Sequence, residues 1–94
     1  MTPEGKVKAA VKKLLAAHGA YVYMPVSNGM GAPALDFICS YHGKFLSIET
    51  KAGSKPMTPR QANTAKSIEA GGGVTFLINE HTGTSELERW LKDN

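Results

Sequence analysis

The dipeptide His42-Gly43 constrains this chain more than any other feature. It separates two strand-like runs, Ala34 to Tyr41 and Lys44 to Lys51, and has the length and the glycine of a tight hairpin turn. A two-residue turn sets the register of both strands. Tyr41 must pair with Lys44, and counting outwards puts Phe37 opposite Ile48 and Asp36 opposite Glu49. Because side chains alternate across a strand, Lys51 falls on the same face as Glu49. Phe37, Cys39, Leu46 and Ile48 share the other face and are expected to pack against a helix.

The rest of the chain supplies helices and two more strands. Residues 3 to 18 predict a helix with Thr2 as N-cap, Pro3 at its first position and Val7, Val11, Leu14, Leu15 and His18 at helical spacing. Ala20 to Val26 favours a strand, and Ser27 to Pro33, with Gly29, Gly31 and Pro33, a loop. Residues 52 to 58 form a basic loop. A second helix starts after Thr58, with Pro59 next, and runs to the triplet Gly71-Gly72-Gly73. Val74 to Asn79 is the fourth strand, and Ser85 to Lys92 a terminal helix that Leu87, Trp90 and Leu91 can dock. The expectation is a single domain over residues 1–94, an α/β fold of order α-β-β-β-α-β-α with a central mixed sheet flanked by helices.

A chain of 94 residues encloses one modest core. No apolar run approaches the roughly 20 residues that span a bilayer, and the lysine-rich N-terminus lacks the pattern of a secretory signal, so a cytoplasmic location is expected. Cys39 is the only cysteine, which excludes an intrachain disulfide and leaves a cysteine zinc site unsupported. The net charge of +3 is unevenly placed, with Lys6, Lys8, Lys12 and Lys13 near the start and Lys51, Lys55, Arg60 and Lys66 midway. That distribution suits a polyanionic partner.

Like charges directly opposed on a sheet destabilise it, so Asp36 against Glu49 calls for compensation. A divalent cation such as Mg2+ or Mn2+ provides it, since hard cations take carboxylate oxygens and fill the remaining positions with water, backbone carbonyl and phosphate. Lys51 then stands ready to hold and polarise an attacking water or to steady negative charge on a phosphate. The competing reading is a set of solvated surface ion pairs with Lys51 and Lys44. The neighbours weigh against it, because Ala-Leu-Asp36-Phe-Ile and Leu-Ser-Ile-Glu49-Thr-Lys both read as buried strands interrupted by a charge.

Two further residues carry two readings each. Glu4 lies on the helix stripe that faces the sheet, and fits either an auxiliary role at the site or a favourable acid at a helix N-terminus. Gln61 stands at the third helical position after Thr58, which also makes a capping box. The loop of residues 27 to 33, with Asn28, and the loop from Lys51 to Arg60, with Lys55, are candidates for nucleic-acid backbone contact, or are plain solvated loops.

Taken together, Gly31-Ala-Pro-Ala-Leu-Asp36-Phe, Ile48-Glu49-Thr50-Lys51, Met57-Thr-Pro-Arg-Gln61 and Ala70-Gly-Gly resemble the PD-(D/E)xK nuclease superfamily, specifically its virus-type replication-repair nuclease (VRR-NUC) branch. The resemblance runs from Glu4 to Asn79. It implies a restriction-endonuclease-like core and metal-dependent cleavage of DNA. Asp36 and Glu49 would bind the metal with the Thr50 carbonyl as a further ligand; Lys51 would be the catalytic lysine, and Glu4 and Gln61 would line the site. It also implies a homodimer acting on branched DNA such as Holliday junctions. One departure is Leu35, which stands where the family has proline directly before the aspartate; Pro33 lies two residues earlier. The rival expectations are a non-catalytic nucleic-acid-binding module of the same fold, and a structural ion-pair network at a protein interface.

Overall fold

The computed structural model describes residues 1–26 and 31–94. Its elements are α1 (Pro3–Ala17), β1 (Tyr21–Tyr23), β2 (Phe37–Tyr41), β3 (Lys44–Lys51), α2 (Pro59–Ala70), β4 (Val74–Asn79) and α3 (Ser85–Asp93). The four strands form one sheet in the order β1-β2-β3-β4, antiparallel from β1 to β3 and parallel between β3 and β4. This is the α/β order and the mixed, helix-flanked sheet that the sequence predicts.

The hairpin turns where expected. His42 has φ 50° and Gly43 φ 79°, the pair of left-handed residues that makes a two-residue turn match the twist of its strands. Histidine tolerates this conformation better than most residues. Its ring stacks on Tyr41 with centroids 3.9 Å apart, and its Nδ1 lies 3.0 Å from the backbone oxygen of Asn94. The register follows: Tyr41 pairs with Lys44 and Phe37 with Ile48.

Two strands are shorter than predicted, each for a local reason. β2 starts at Phe37 instead of Ala34, because the next N–H on β3, that of Thr50, is taken by the Asp36 side chain and not by a backbone carbonyl. β1 covers Tyr21–Tyr23 of the predicted 20 to 26, pairing with Ser40, Cys39 and Ile38; Pro25 has no N–H to extend the ladder. The helices open as read, with the Thr2 hydroxyl accepting the Gly5 N–H, and Thr58 and Gln61 forming a reciprocal capping box.

The sheet is covered unequally. On one face Phe37, Cys39, Leu46 and Ile48 meet Val7, Val11 and Leu15 of α1 and Leu87 and Leu91 of α3, all buried. Trp90 packs edge-on against Phe76. Burial pushes the Cys39 thiol up to about 11, which keeps it protonated and inert in this core. On the other face α2 lies over β3 and β4. Among the described residues no helix is long and apolar enough to cross a membrane.

The Tyr41 hydroxyl donates to the Leu91 carbonyl at 3.0 Å, a last-turn acceptor of α3 with no partner inside its own helix. Tyr41→Phe is therefore expected to destabilise the fold by about 1–3 kcal/mol, the usual cost of a buried acceptor left alone. A lower urea midpoint at unchanged slope is the measurement that checks it.

Candidate active site

The carboxylates sit where β2 ends and β3 continues, so that Asp36 occupies the position of the next strand residue. Its Oδ2 accepts from the Thr50 N–H at 3.0 Å and from the Thr50 hydroxyl at 2.7 Å. Its own N–H donates to Glu49 Oε1 at 3.3 Å. The hairpin register thus delivers the predicted juxtaposition, and reciprocal bonds lock it. In an extended strand one residue's N–H and carbonyl leave on the same edge, so the Thr50 carbonyl points to the edge that Asp36 occupies.

Glu49 is only 4 % exposed. Its other oxygen, Oε2, accepts from the Gln61 side-chain amide at 3.0 Å and lies 3.9 Å from Lys51 Nζ. Gln61 does both things its sequence position allowed: its Oε1 accepts the Thr58 N–H in the capping box while its amide reaches the carboxylate. Burial, and then the charge of Asp36, push the Glu49 carboxyl up to about 7, against the pull of Lys51 and the Asp36 N–H.

Glu4 reaches the site indirectly. Its Oε2 is 3.2 Å from Lys8 Nζ, and that ammonium lies 3.9 Å from Asp36 Oδ1. Lys8 is the residue that the sequence reading missed. The sequence places it only among the basic residues near the N-terminus, although its spacing of one helical turn from Glu4 makes the two neighbours on the helix surface. Burial pulls the Lys8 pKa down, but the hydrogen bond to Glu4 and the charges of Asp36, Glu4 and Glu49 hold it above its ordinary value. It stays an ammonium, so two lysines, Lys8 and Lys51, approach the carboxylate pair from different elements.

A cleft of about 300 Å³ opens over Asp36, walled by Pro25 and Val26 after β1 and by Arg60, Gln61 and Thr64 of α2. Arg60 is exposed on its wall, and Lys55 is exposed on the loop that leads into α2. The Gly53 N–H donates to Glu80 Oε1 at 2.7 Å, which ties that loop to the end of β4. Asn28 lies outside the described residues. A larger hollow of about 740 Å³ at the other end of β3, beside Phe45, Ile68, Gly73 and Trp90, is lined by no Asp or Glu side chain.

Two carboxylates, with a hydroxyl and a carbonyl beside them, make an oxygen donor set suited to a hard cation such as Mg2+ or Mn2+. Among the described residues no group of three His, Cys, Asp or Glu side chains converges, so Glu4 joins through Lys8 and not as a third carboxylate of the pair. Compared with protein-family models and with curated proteins, the chain finds no match in either.

The raised Glu49 carboxyl has a consequence for stability. In the unfolded chain it titrates near 4.5, so between there and about 7 the folded state holds a proton that the unfolded state has released. Stability from this group is therefore fullest at low pH and is lost as pH rises through 7. In EDTA, the Tm is expected to fall between about pH 5 and about pH 8 through this group, and Glu49→Gln to flatten that slope. Identical pH profiles for the two proteins in thermal melts would contradict the assignment.

Proposed function

We propose that this chain is a divalent-metal-dependent endonuclease of the VRR-NUC type that hydrolyses DNA phosphodiester bonds, acting as a homodimer on branched DNA such as Holliday junctions. The observation that carries the proposal is the meeting of Asp36, Glu49 and Lys51 at the open end of the β2–β3 hairpin, locked by Thr50 and Gln61. Asp36 opens to the cleft with Glu49, Lys51 and Lys8 grouped behind it, which fits phosphodiester hydrolysis better than a passive ion-pair network. Such a network would neutralise the acids without leaving Asp36 open to a cleft.

Asp36, Glu49 and the Thr50 carbonyl would hold Mg2+ or Mn2+, which supplies Lewis-acid activation of water and charge for the scissile phosphate. The protein's own groups do the rest. Thr50 fixes the rotamer of Asp36 through two donors, leaving Oδ1 directed towards Lys8. Gln61 anchors Oε2 of Glu49, so the buried carboxylate keeps one orientation. Lys51, with its side chain 15 % exposed, presents its ammonium from the strand end to hold the attacking water and to oppose charge growing on phosphate oxygens. In the reaction the attacking water gives up a proton to solvent as its oxygen bonds to phosphorus, the bridging P–O bond breaks, and the leaving oxygen takes up a proton from solvent.

Lys8 adds a second cation near Asp36, positioned by Glu4. Arg60 on the cleft wall and Lys55 on the loop before α2 face solvent, where contacts to phosphates give affinity without sequence readout. A two-fold dimer matches a two-fold junction and doubles this basic surface.

Asp36→Ala and Lys51→Ala are each expected to lower cleavage of a four-way junction by at least about 10³-fold while binding persists, as removal of a central catalytic group does. EDTA should abolish turnover by the wild type. Equal cleavage by wild type and both variants would eliminate this reading. Independently of turnover, millimolar Mn2+ is expected to raise the Tm of the wild type and not of Asp36→Ala, because a ligand of the folded state stabilises it.

A further inference from the structure

The face of the sheet that carries Glu49 is covered over β3 and β4 by α2, and among the described residues no helix packs over β1 and β2 on that face. On the uncovered part stand Tyr21, 69 % exposed, and Tyr23, 54 % exposed, with Phe45, 45 % exposed, at the beginning of β3. All three lie on one side. Tyr23 pairs with Ile38, and Tyr21 with Ser40, which in turn pairs with Phe45. Val22 between the tyrosines turns the other way and packs on the core. Large rings presented together to solvent are the informative exception to an ordinary polar surface.

From this placement we propose that Tyr21, Tyr23 and Phe45 form a stacking platform for an unpaired nucleic-acid strand that leads into the carboxylate cleft. The inference rests on the nuclease reading and adds to it the kind of substrate the site takes. Three observations choose this occupant. First, the surface is continuous with the cleft: the chain runs from Tyr23 to Pro25 and Val26, which wall the space over Asp36, and β2 runs back from Asp36 to Ile38 and Ser40 beneath the rings.

Second, the charges suit a polyanion. The platform carries no acidic side chain, and the exposed Arg60 stands on the cleft wall beside it. Third, the groups are aromatic and spaced for successive bases. Tyr21 and Tyr23 are about 6.8 Å apart along the strand, and Phe45 stands two strands, about 9.6 Å, from Tyr21 with the small Ser40 between. A Cβ at Gly73 would lie 2.9 Å from the Phe45 ring and 2.7 Å from Ile68, so this glycine leaves room for the ring beside the end of α2. Aromatic side chains on an open sheet face bind unpaired bases through their π-faces, whatever the base.

The test is fluorescence anisotropy of a labelled oligothymidylate and of a blunt duplex, in EDTA, with the whole chain. Tyr21→Ala and Tyr23→Ala are each expected to weaken oligothymidylate binding about tenfold, the scale of one lost base stack, and to leave duplex binding unchanged. Tyr21→Phe and Tyr23→Phe should bind as the wild type does, and both exposed positions should tolerate alanine in thermal melts. No binding of oligothymidylate by the wild type, or equal binding by the alanine variants, overturns the platform. So does a fall to a smaller species in sedimentation with oligonucleotide binding intact, which would assign the face to a second copy. Because the assay needs no turnover, the two readings separate. Loss of oligothymidylate binding in a protein that never cleaves DNA keeps the platform and removes the nuclease, and the converse pattern does the reverse.

Discussion

Two carboxylates set side by side on neighbouring strands repel each other, and the fold keeps them there by giving each a backbone N–H to accept. Asp36 takes the N–H of Thr50, and Glu49 takes the N–H of Asp36. Those bonds replace the next rung of the ladder, so the sheet stays closed at the point where it also becomes a site. Without them β2 would fray into the loop that precedes it, and neither the cleft nor its walls would have a floor. The repulsion that remains shows in Glu49, whose carboxyl is held well above the ordinary range by burial and by its neighbour. A buried acid in that condition gains from any cation brought close: Lys51 stands 3.9 Å from it, and Lys8 stands 3.9 Å from its neighbour Asp36.

The helices take their places around this pair for reasons of packing. α1 buries Val7, Val11 and Leu15 against the sheet, which brings its first turns, with Glu4 and Lys8, to the strand ends. α2 buries Ala65 over the other face and brings the side chain of Gln61 to Glu49. The acids are thus approached by two helix N-terminal regions, one from each face, each contributing a polar side chain. Among the described residues no helix packs over β1 and β2 on the α2 face, which leaves that side open.

Much of this was legible in the sequence because period-two alternation and a two-residue turn are local rules. His42-Gly43 was enough to place Phe37 against Ile48, and hence Asp36 beside Glu49, with Lys51 near Glu49. Helix starts were equally readable from Thr2-Pro3 and Thr58-Pro59. What escaped was three-dimensional. Strand ends were overrun, because a side chain taking a ladder N–H, as Asp36 does, leaves no mark in a hydrophobic pattern. Lys8 escaped because its role depends on how α1 is rotated against the sheet, and a lysine on an amphipathic helix looks solvated until that rotation is known. The exposed tyrosines escaped because β1 read as a strand without revealing that α2 stops short of it.

The parallel pairing of β3 with β4 has one more implication. A parallel partner obliges the connecting helix to run back the length of the sheet, so α2 must begin at the end of β3 where the acids lie. The segment between is pinned at both ends, at Gly53 by Glu80 and at Thr58 by the capping box. Residues 54 to 57 bridge those pins, and loops held only at their ends are where changes in length are best tolerated. Descendants of such a fold could therefore lengthen or shorten this span to alter how far Lys55 extends, and so diversify what they grip while the chemistry beneath stays constant.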